Sequence, residues 1–167
     1  MRHYALIGEK LGHSMSRPIH EAIFAAAGVD ADYRIIEIPR DRFTEETRQL
    51  IATLDGFNVT IPYKQQIIPY LDSLSTEARN IGAVNCVKIE PDGRLTGYNT
   101  DIDGIRLSPD KLLGGVEIDA TLVLGTGGAS QAVQYVLTER NIPYSIVSRN
   151  SCKGNLTYDD LKVEITS

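Results

Sequence analysis

Between Tyr4 and Lys64 the sequence alternates strand patterns with helix patterns, and that order leaves little choice of fold. Tyr4-Ala5-Leu6-Ile7 is an apolar run closed by Gly8. Ile19, Ile23 and Ala26, with Ala22 beside them, recur at helical spacing before Gly28, a residue suited to a C-cap. Asp32 to Ile38 reads as a second strand stopped by Pro39. Thr44 to Leu54 reads as a second helix, with Thr44 capping it and Leu50, Ile51 and Leu54 on one face. Phe57, Val59 and Ile61 then alternate with Asn58 and Thr60 until Pro62, which has no N–H to continue a central strand. Strand, helix, strand, helix, strand at this spacing means βαβ units and a parallel sheet.

Open sheets of this kind bind ligands beyond the carboxyl ends of their strands. Two polar clusters fall there. Asn58, Thr60 and Lys64 bring an amide, a hydroxyl and an ammonium to the end of the third strand. Amide and hydroxyl suit a polyol, and a lysine holds a carboxylate or moves a proton. Taken alone, the same stretch also reads as an edge strand with a polar solvent face. After the first strand comes Gly8-Glu9-Lys10-Leu11-Gly12-His13-Ser14-Met15-Ser16. Ser16 reads as an N-cap, with Pro18 early in the helix. Ser14 and Ser16 together offer two hydroxyls near a helix N-terminus, a place suited to a carboxylate. His13 reads either as a proton shuttle or as a loop histidine bonded to backbone.

Tyr63 to Leu71 and Ser75 to Ile81 read as short helices or turns. Gly82 to Ile89 reads as a strand carrying Asn85. A tight turn at Pro91-Asp92-Gly93-Arg94 then returns Leu95 to Asn99 as its hairpin partner. Asp101 follows, either as the cap of the next helix or as a carboxylate for Lys64, should the two strand ends adjoin. A carboxylate beside a lysine favours the ammonium and fixes its direction, which is what proton transfer to a ketone oxygen requires. Ile102 to Leu113 should be a connecting helix, interrupted at Ser108-Pro109. Gly114-Gly115 marks a boundary, which divides the chain into domains at 1–113 and 114–167.

The second domain opens with Ala120-Thr121-Leu122-Val123-Leu124, a buried-strand run, followed directly by Gly125-Thr126-Gly127-Gly128-Ala129-Ser130 and a helix over Gln131 to Arg140. A glycine-rich turn between strand and helix is the setting of a dinucleotide fingerprint. Gly125 allows the tight turn, and Gly127 lets a pyrophosphate approach the positive end of the helix. Ser130 stands where the pattern usually has its third glycine. The next strand, Tyr144 to Val147, ends in Ser148-Arg149-Asn150, with Lys153 just beyond. An acid there would take a ribose 2′-hydroxyl. Arg149 instead suits a 2′-phosphate, so the cofactor expected is NADP. Lys153 reads equally as an ordinary solvated charge.

Composition narrows the alternatives. A net charge of −5 with no Lys/Arg-rich run argues against nucleic acid and anionic membrane as partners. The two cysteines, Cys86 and Cys152, have no metal-ligand spacing, so no metal is expected. They read as free thiols of a reducing compartment, with the cytoplasm as default.

The stretches Gly12 to Ser16, Gly56 to Lys64, Gly82 to Asn85, Gly97 to Asp101, Gly125 to Ser130 and Ser148 to Asn150 together resemble the shikimate dehydrogenases, in family order and spacing. The resemblance implies an α/β chain. Its mostly parallel-sheet substrate-binding domain would be followed by an incomplete Rossmann-like NADP-binding domain. It implies reversible NADP-dependent reduction of 3-dehydroshikimate to shikimate, a step of chorismate and aromatic amino-acid biosynthesis. By resemblance, Ser14 and Ser16 hold the substrate carboxylate. Asn58, Thr60, Asn85 and Asp101 hold ring hydroxyls, and Lys64 with Asp101 is the catalytic pair. Gly125, Gly127, Gly128, Ala129, Ser130, Ser148, Arg149, Asn150 and Lys153 fall to the cofactor. Ser148 and Asn150 depart from the family's usual Asn and Thr around the arginine. Family members run well past 167 residues. The expectation is therefore a fragment that alone has little or no activity. Quinate/shikimate dehydrogenase of broader specificity, or a non-catalytic shikimate-binding module, is the alternative; oligomeric state is not legible.

Overall fold

A computed structural model of the chain describes residues 1–113, 118–149 and 155–164. Gly114, Gly115, Asn150, Cys152 and Lys153, singled out above, lie outside the described residues. By its contacts the chain divides into two compact units, 1–79 with 83–99 and 80–82 with 100–167.

The first unit is a six-stranded sheet in the order β2-β1-β3-β5-β6-β4. β1 (Arg2–Gly8) sits between β2 (Ala31–Glu37) and β3 (Gly56–Val59), parallel to both. That central place explains why Ala5, Leu6 and Ile7 are all buried: a strand covered on both faces needs an unbroken apolar run. β5 (Cys86–Ile89) runs antiparallel to β3 and forms the expected hairpin with β6 (Leu95–Tyr98). The short β4 (Ser73–Leu74) pairs parallel with β6. The sheet is thus mixed, with parallel pairing in the majority.

Side chains alternate across this sheet with period two. Ala5 and Ile7 of β1 and Phe57 and Val59 of β3 enter one core with Phe43, Leu54, Tyr63 and Ile67. Burying Phe57 or Val59 contributes roughly 1.5–3 kcal/mol each. Phe43 stacks on Tyr63, whose hydroxyl donates to the Ile38 carbonyl. Leu6, Leu11 and Tyr33 form a second core on the opposite face, with Tyr4, Phe24 and Ile35 against it. Asn58 falls between Phe57 and Val59 and so belongs to this second face.

Helix α1 (Ser16–Ala27) covers part of that face, placing Phe24 against Tyr4 and His20 against Tyr33. Gly28 ends it in the left-handed conformation, as expected. Two capping expectations are corrected. Ser16 is the first helical residue, not the cap; Met15 holds that position without a side-chain bond. Helix α2 (Phe43–Ile51) starts before Thr44 and is preceded by Arg42, so Thr44 is not its cap either. α3 (Thr76–Ile81) precedes β5.

In the second unit, α4 runs unbroken from Asp101 to Leu113. The predicted interruption at Ser108-Pro109 is absent, and the Ser108 hydroxyl donates to the Gly104 carbonyl one turn back. An interior proline removes one helical N–H and crowds the carbonyl four residues back, at a cost of about 3 kcal/mol that the packing of α4 on α5 must offset. α4 is tied to α5 (Gly128–Glu139) by a bidentate Arg106–Glu139 ion pair, with N···O distances of 2.8 and 3.0 Å. β7 (Thr121–Leu124), β8 (Tyr144–Ser148) and β9 (Leu156–Thr157) form a parallel sheet in that order, and α6 (Tyr158–Glu164) follows. Ala132, Val136 and Leu137 are the buried residues of α5.

Candidate active site

The end of β1 leaves no room for a side chain. A Cβ added at Gly8 would lie 2.7 Å from Leu11 Cδ2 and 2.8 Å from Thr60 Cγ2. Only glycine lets the loop after β1 and the residue after β3 approach this closely. The loop is pinned further by the Leu11 N–H, which donates to Glu37 at the end of β2 (2.6 Å). Thr60 and Ile38 are anchored through their N–H groups to the Ile7 and Gly8 carbonyls. The result is an open cavity of about 850 Å³ lined by Ser14, Ser16, Thr60, His13, Lys10 and Glu9, among others. Three of the residues singled out in the sequence, Ser14, Ser16 and Thr60, are therefore brought together.

The two serines differ in what they already do. Ser14 Oγ accepts from the Ser16 N–H (3.2 Å), satisfying an otherwise orphaned donor of the first helical turn, and donates to Ser16 Oγ (3.1 Å). The capping-type bond expected of Ser16 is thus made by Ser14. Ser16 Oγ, as acceptor in that pair, keeps its own hydrogen to donate to an anion.

Asn58 is half-buried in a groove of about 960 Å³ that also takes in Tyr33, His20 and Cys86. Its Nδ2 donates to the Asn85 carbonyl (3.2 Å), and its Oδ1 accepts from the Tyr33 hydroxyl (2.8 Å). Burial pushes the Tyr33 phenol up from its ordinary value, with the neighbouring Cys86 adding to this; burial likewise raises the Cys86 thiol. Both therefore stay protonated at neutral pH. Asn85, itself buried, is held through its N–H to the Tyr98 carbonyl. Lys64 is half-buried in the turn after β3, and its carbonyl accepts from the Val84 N–H. Neither Tyr33 nor His20 was singled out from sequence. The only signal was a tyrosine at a strand position sharing a face with Asn58.

In the second unit Asp101 is the first residue of α4. The glycine turn lies between β7 and α5 as the motif predicts. Gly125 has φ +98°, a conformation that favours glycine, and its N–H donates to the Val147 carbonyl. Gly127 caps α5, and a Cβ there would meet nothing within 4 Å, so the space above the helix start is open. The serine in the third-glycine position has a local role: its hydroxyl donates to the Gly125 carbonyl (2.6 Å) and accepts from Gln134 (3.0 Å). Ser148 is buried at the end of β8, and Arg149 beyond it is exposed. Among the described residues no group of three or more His, Cys, Asp or Glu could hold a metal ion, and no helix is long and apolar enough to cross a membrane.

Residues 6–87 match the family described as the shikimate dehydrogenase substrate binding domain. The shikimate dehydrogenase (NADP(+)) of Clostridium beijerinckii is 37% identical over 167 residues, 98% of this chain and 61% of that protein. Along nearly its whole length the chain is similar to the shikimate dehydrogenases. Among solved structures, shikimate dehydrogenase 1 of Peptoclostridium difficile superposes with a TM-score of 0.87 at 34% identity, covering 97% of this chain and 62% of that one. The shikimate 5-dehydrogenase of Thermus thermophilus, solved in complex with NADP(H) and shikimate, gives 0.77 at 34% identity over 90% of this chain and 57% of its own. The chain thus spans about three fifths of the length of the family members it matches.

Proposed function

We propose that this chain carries the shikimate-binding residues and the start of the NADP site of a dehydrogenase that reversibly reduces 3-dehydroshikimate to shikimate. One observation carries the reading: three hydroxyls, of Ser14, Ser16 and Thr60, line a single open cavity within the stretch that matches the family's substrate domain. The serine pair at the start of α1 suits the substrate carboxylate, with Ser16 donating and the helix end adding positive potential. Thr60, Asn58, Asn85 and Asp101 are the proposed partners of the ring hydroxyls.

The glycine turn fits a dinucleotide. The open space above Gly127 is what a pyrophosphate would fill, and Arg149 stands where an acid would otherwise select a ribose hydroxyl. Gly125, Gly127, Gly128, Ala129 and Ser130 form the turn, with Ser148 and Arg149 at the far strand end; Asn150 and Lys153 complete the proposed set. NADPH, when bound, supplies the hydride. The chain's part is proton transfer: Lys64, with Asp101 as its partner, donates a proton to the ketone oxygen as negative charge grows there. The reaction places the product in chorismate and aromatic amino-acid synthesis, and the cytoplasm is the proposed location.

The test couples binding to turnover. Calorimetric titration of shikimate and of NADP into the chain should show both bind. In an enzyme of family length carrying this sequence, Lys64→Ala should lower kcat by about 100-fold or more with little change in KM, because the interaction strengthens in the transition state. An unchanged kcat would remove Lys64 from the chemistry. Parallel rates on quinate would widen the substrate class.

A further inference from the structure

We propose that Tyr33 is a positioning residue of the candidate site: its hydroxyl locks which way round the Asn58 carboxamide is presented to a substrate hydroxyl. This rests on the shikimate-binding reading above. The orientation of the amide follows from chemistry. The Asn85 carbonyl can only accept, so the Asn58 group facing it must be Nδ2. Oδ1 then faces Tyr33, whose hydroxyl donates to it over 2.8 Å. With one N–H directed to Asn85 and one lone pair of Oδ1 taken by Tyr33, the second N–H and the second lone pair are left for a ligand, each in a fixed direction. Without the Tyr33 hydroxyl, the amide is held at its Asn85 end only.

Tyr33 is itself held. It is 2% exposed, and the His20 imidazole stacks on its ring with centroids 4.0 Å apart and planes 12° from parallel. The His20 Nδ1–H donates to the Ser16 carbonyl at 2.8 Å. His20 thus spans from the residue that meets the carboxylate to the ring that orients Asn58. The cavity lined by the serines and the groove that holds Asn58 share a scaffold of two rings. The raised phenol keeps Tyr33 a donor across the working pH range.

The experiment is a double-mutant cycle on shikimate binding, read by calorimetry on the 167-residue chain. Tyr33→Phe keeps the stack and removes only the hydroxyl. It should weaken shikimate about tenfold in the wild-type background and less than about twofold in Asn58→Ala. Loss of a merely structural tyrosine would cost the same in both. An independent measurement needs no ligand: the Asn58 side-chain amide protons, followed by nitrogen-15 NMR, should exchange with water several-fold faster in Tyr33→Phe. Equal losses in both backgrounds, or an unchanged Asn58 amide, would remove Tyr33 from this role and leave the site standing. A wild-type chain that binds no shikimate would sink the site and the positioning role together.

Discussion

Ser14 and Ser16 look interchangeable in sequence, yet their bonds make them separable. Ser14 serves the helix as well as the cavity, because its oxygen accepts from the Ser16 N–H. Ser14→Ala should therefore cost about 1 kcal/mol of stability and also weaken shikimate. Ser16→Ala removes a donor to the ligand and no backbone partner, so it should weaken shikimate while leaving Tm close to wild type. Urea melts and calorimetric titrations of the two variants measure this. A Ser16 variant as destabilised as the Ser14 variant would show that the helix start leans on both hydroxyls. The same contrast shows what residue types alone conveyed. Two hydroxyls before a helix pointed to an anion site, but which of them capped the helix depended on where the first helical residue fell.

At the level of strands and helices, Gly8 decides how close β1, its loop and the end of β3 can come. Gly8→Ala must push aside Leu11 and the branched Thr60 side chain, at a cost of roughly 1–3 kcal/mol. Because Thr60 is displaced, shikimate binding should fall beyond what lost stability explains, as titration well below the melting temperature would reveal. The strands β1 and β3 were readable because alternation at Phe57 and Val59 and the unbroken run at Ala5 to Ile7 are direct imprints of burial, whereas the central place of β1 was not. The facing of α1 was not. Its helical stripe of Ile19 and Ile23 is more than half exposed, while His20 and Phe24 meet the sheet. Periodicity reports that a stripe exists, and which stripe packs is settled by tertiary partners such as Tyr33. Pro109 misled for a similar reason: local preference argued for a break that the held helix does not show. Asn58 and Thr60 drew notice from their place near the end of a strand, and Asn85, read inside a strand, lies just before β5 instead; the Tyr33 clamp was not legible, since a tyrosine inside a strand pattern is an ordinary core residue.

The molecule as a whole combines two compact units with different electrostatic ties. In the first, the depressed carboxylate Asp92 pairs with Arg94 inside one tight turn, so its loss touches only that turn. In the second, Glu139 is held below the ordinary carboxylate range chiefly by its hydrogen bonds to Arg106, and this pair joins two helices far apart in sequence. A carboxylate whose folded value is lowered stabilises the fold above its unfolded value, and that contribution disappears as pH falls through the folded value. Glu139 therefore supports the α4–α5 contact at neutral pH, and that support starts to fade only once pH falls below the ordinary glutamate value. Glu139 is exposed and Arg106 only half-buried, so the effect is modest. Amide exchange corrected for intrinsic rates should show protection in α4 and α5 dropping a few-fold between about pH 7 and about pH 3, beyond any change in β1 and β3. Glu139→Gln at neutral pH should reproduce the acid pattern and flatten its pH dependence. Protection in α4 and α5 that responds to acid equally in Glu139→Gln and wild type would show that the Arg106 pair does not hold these helices together.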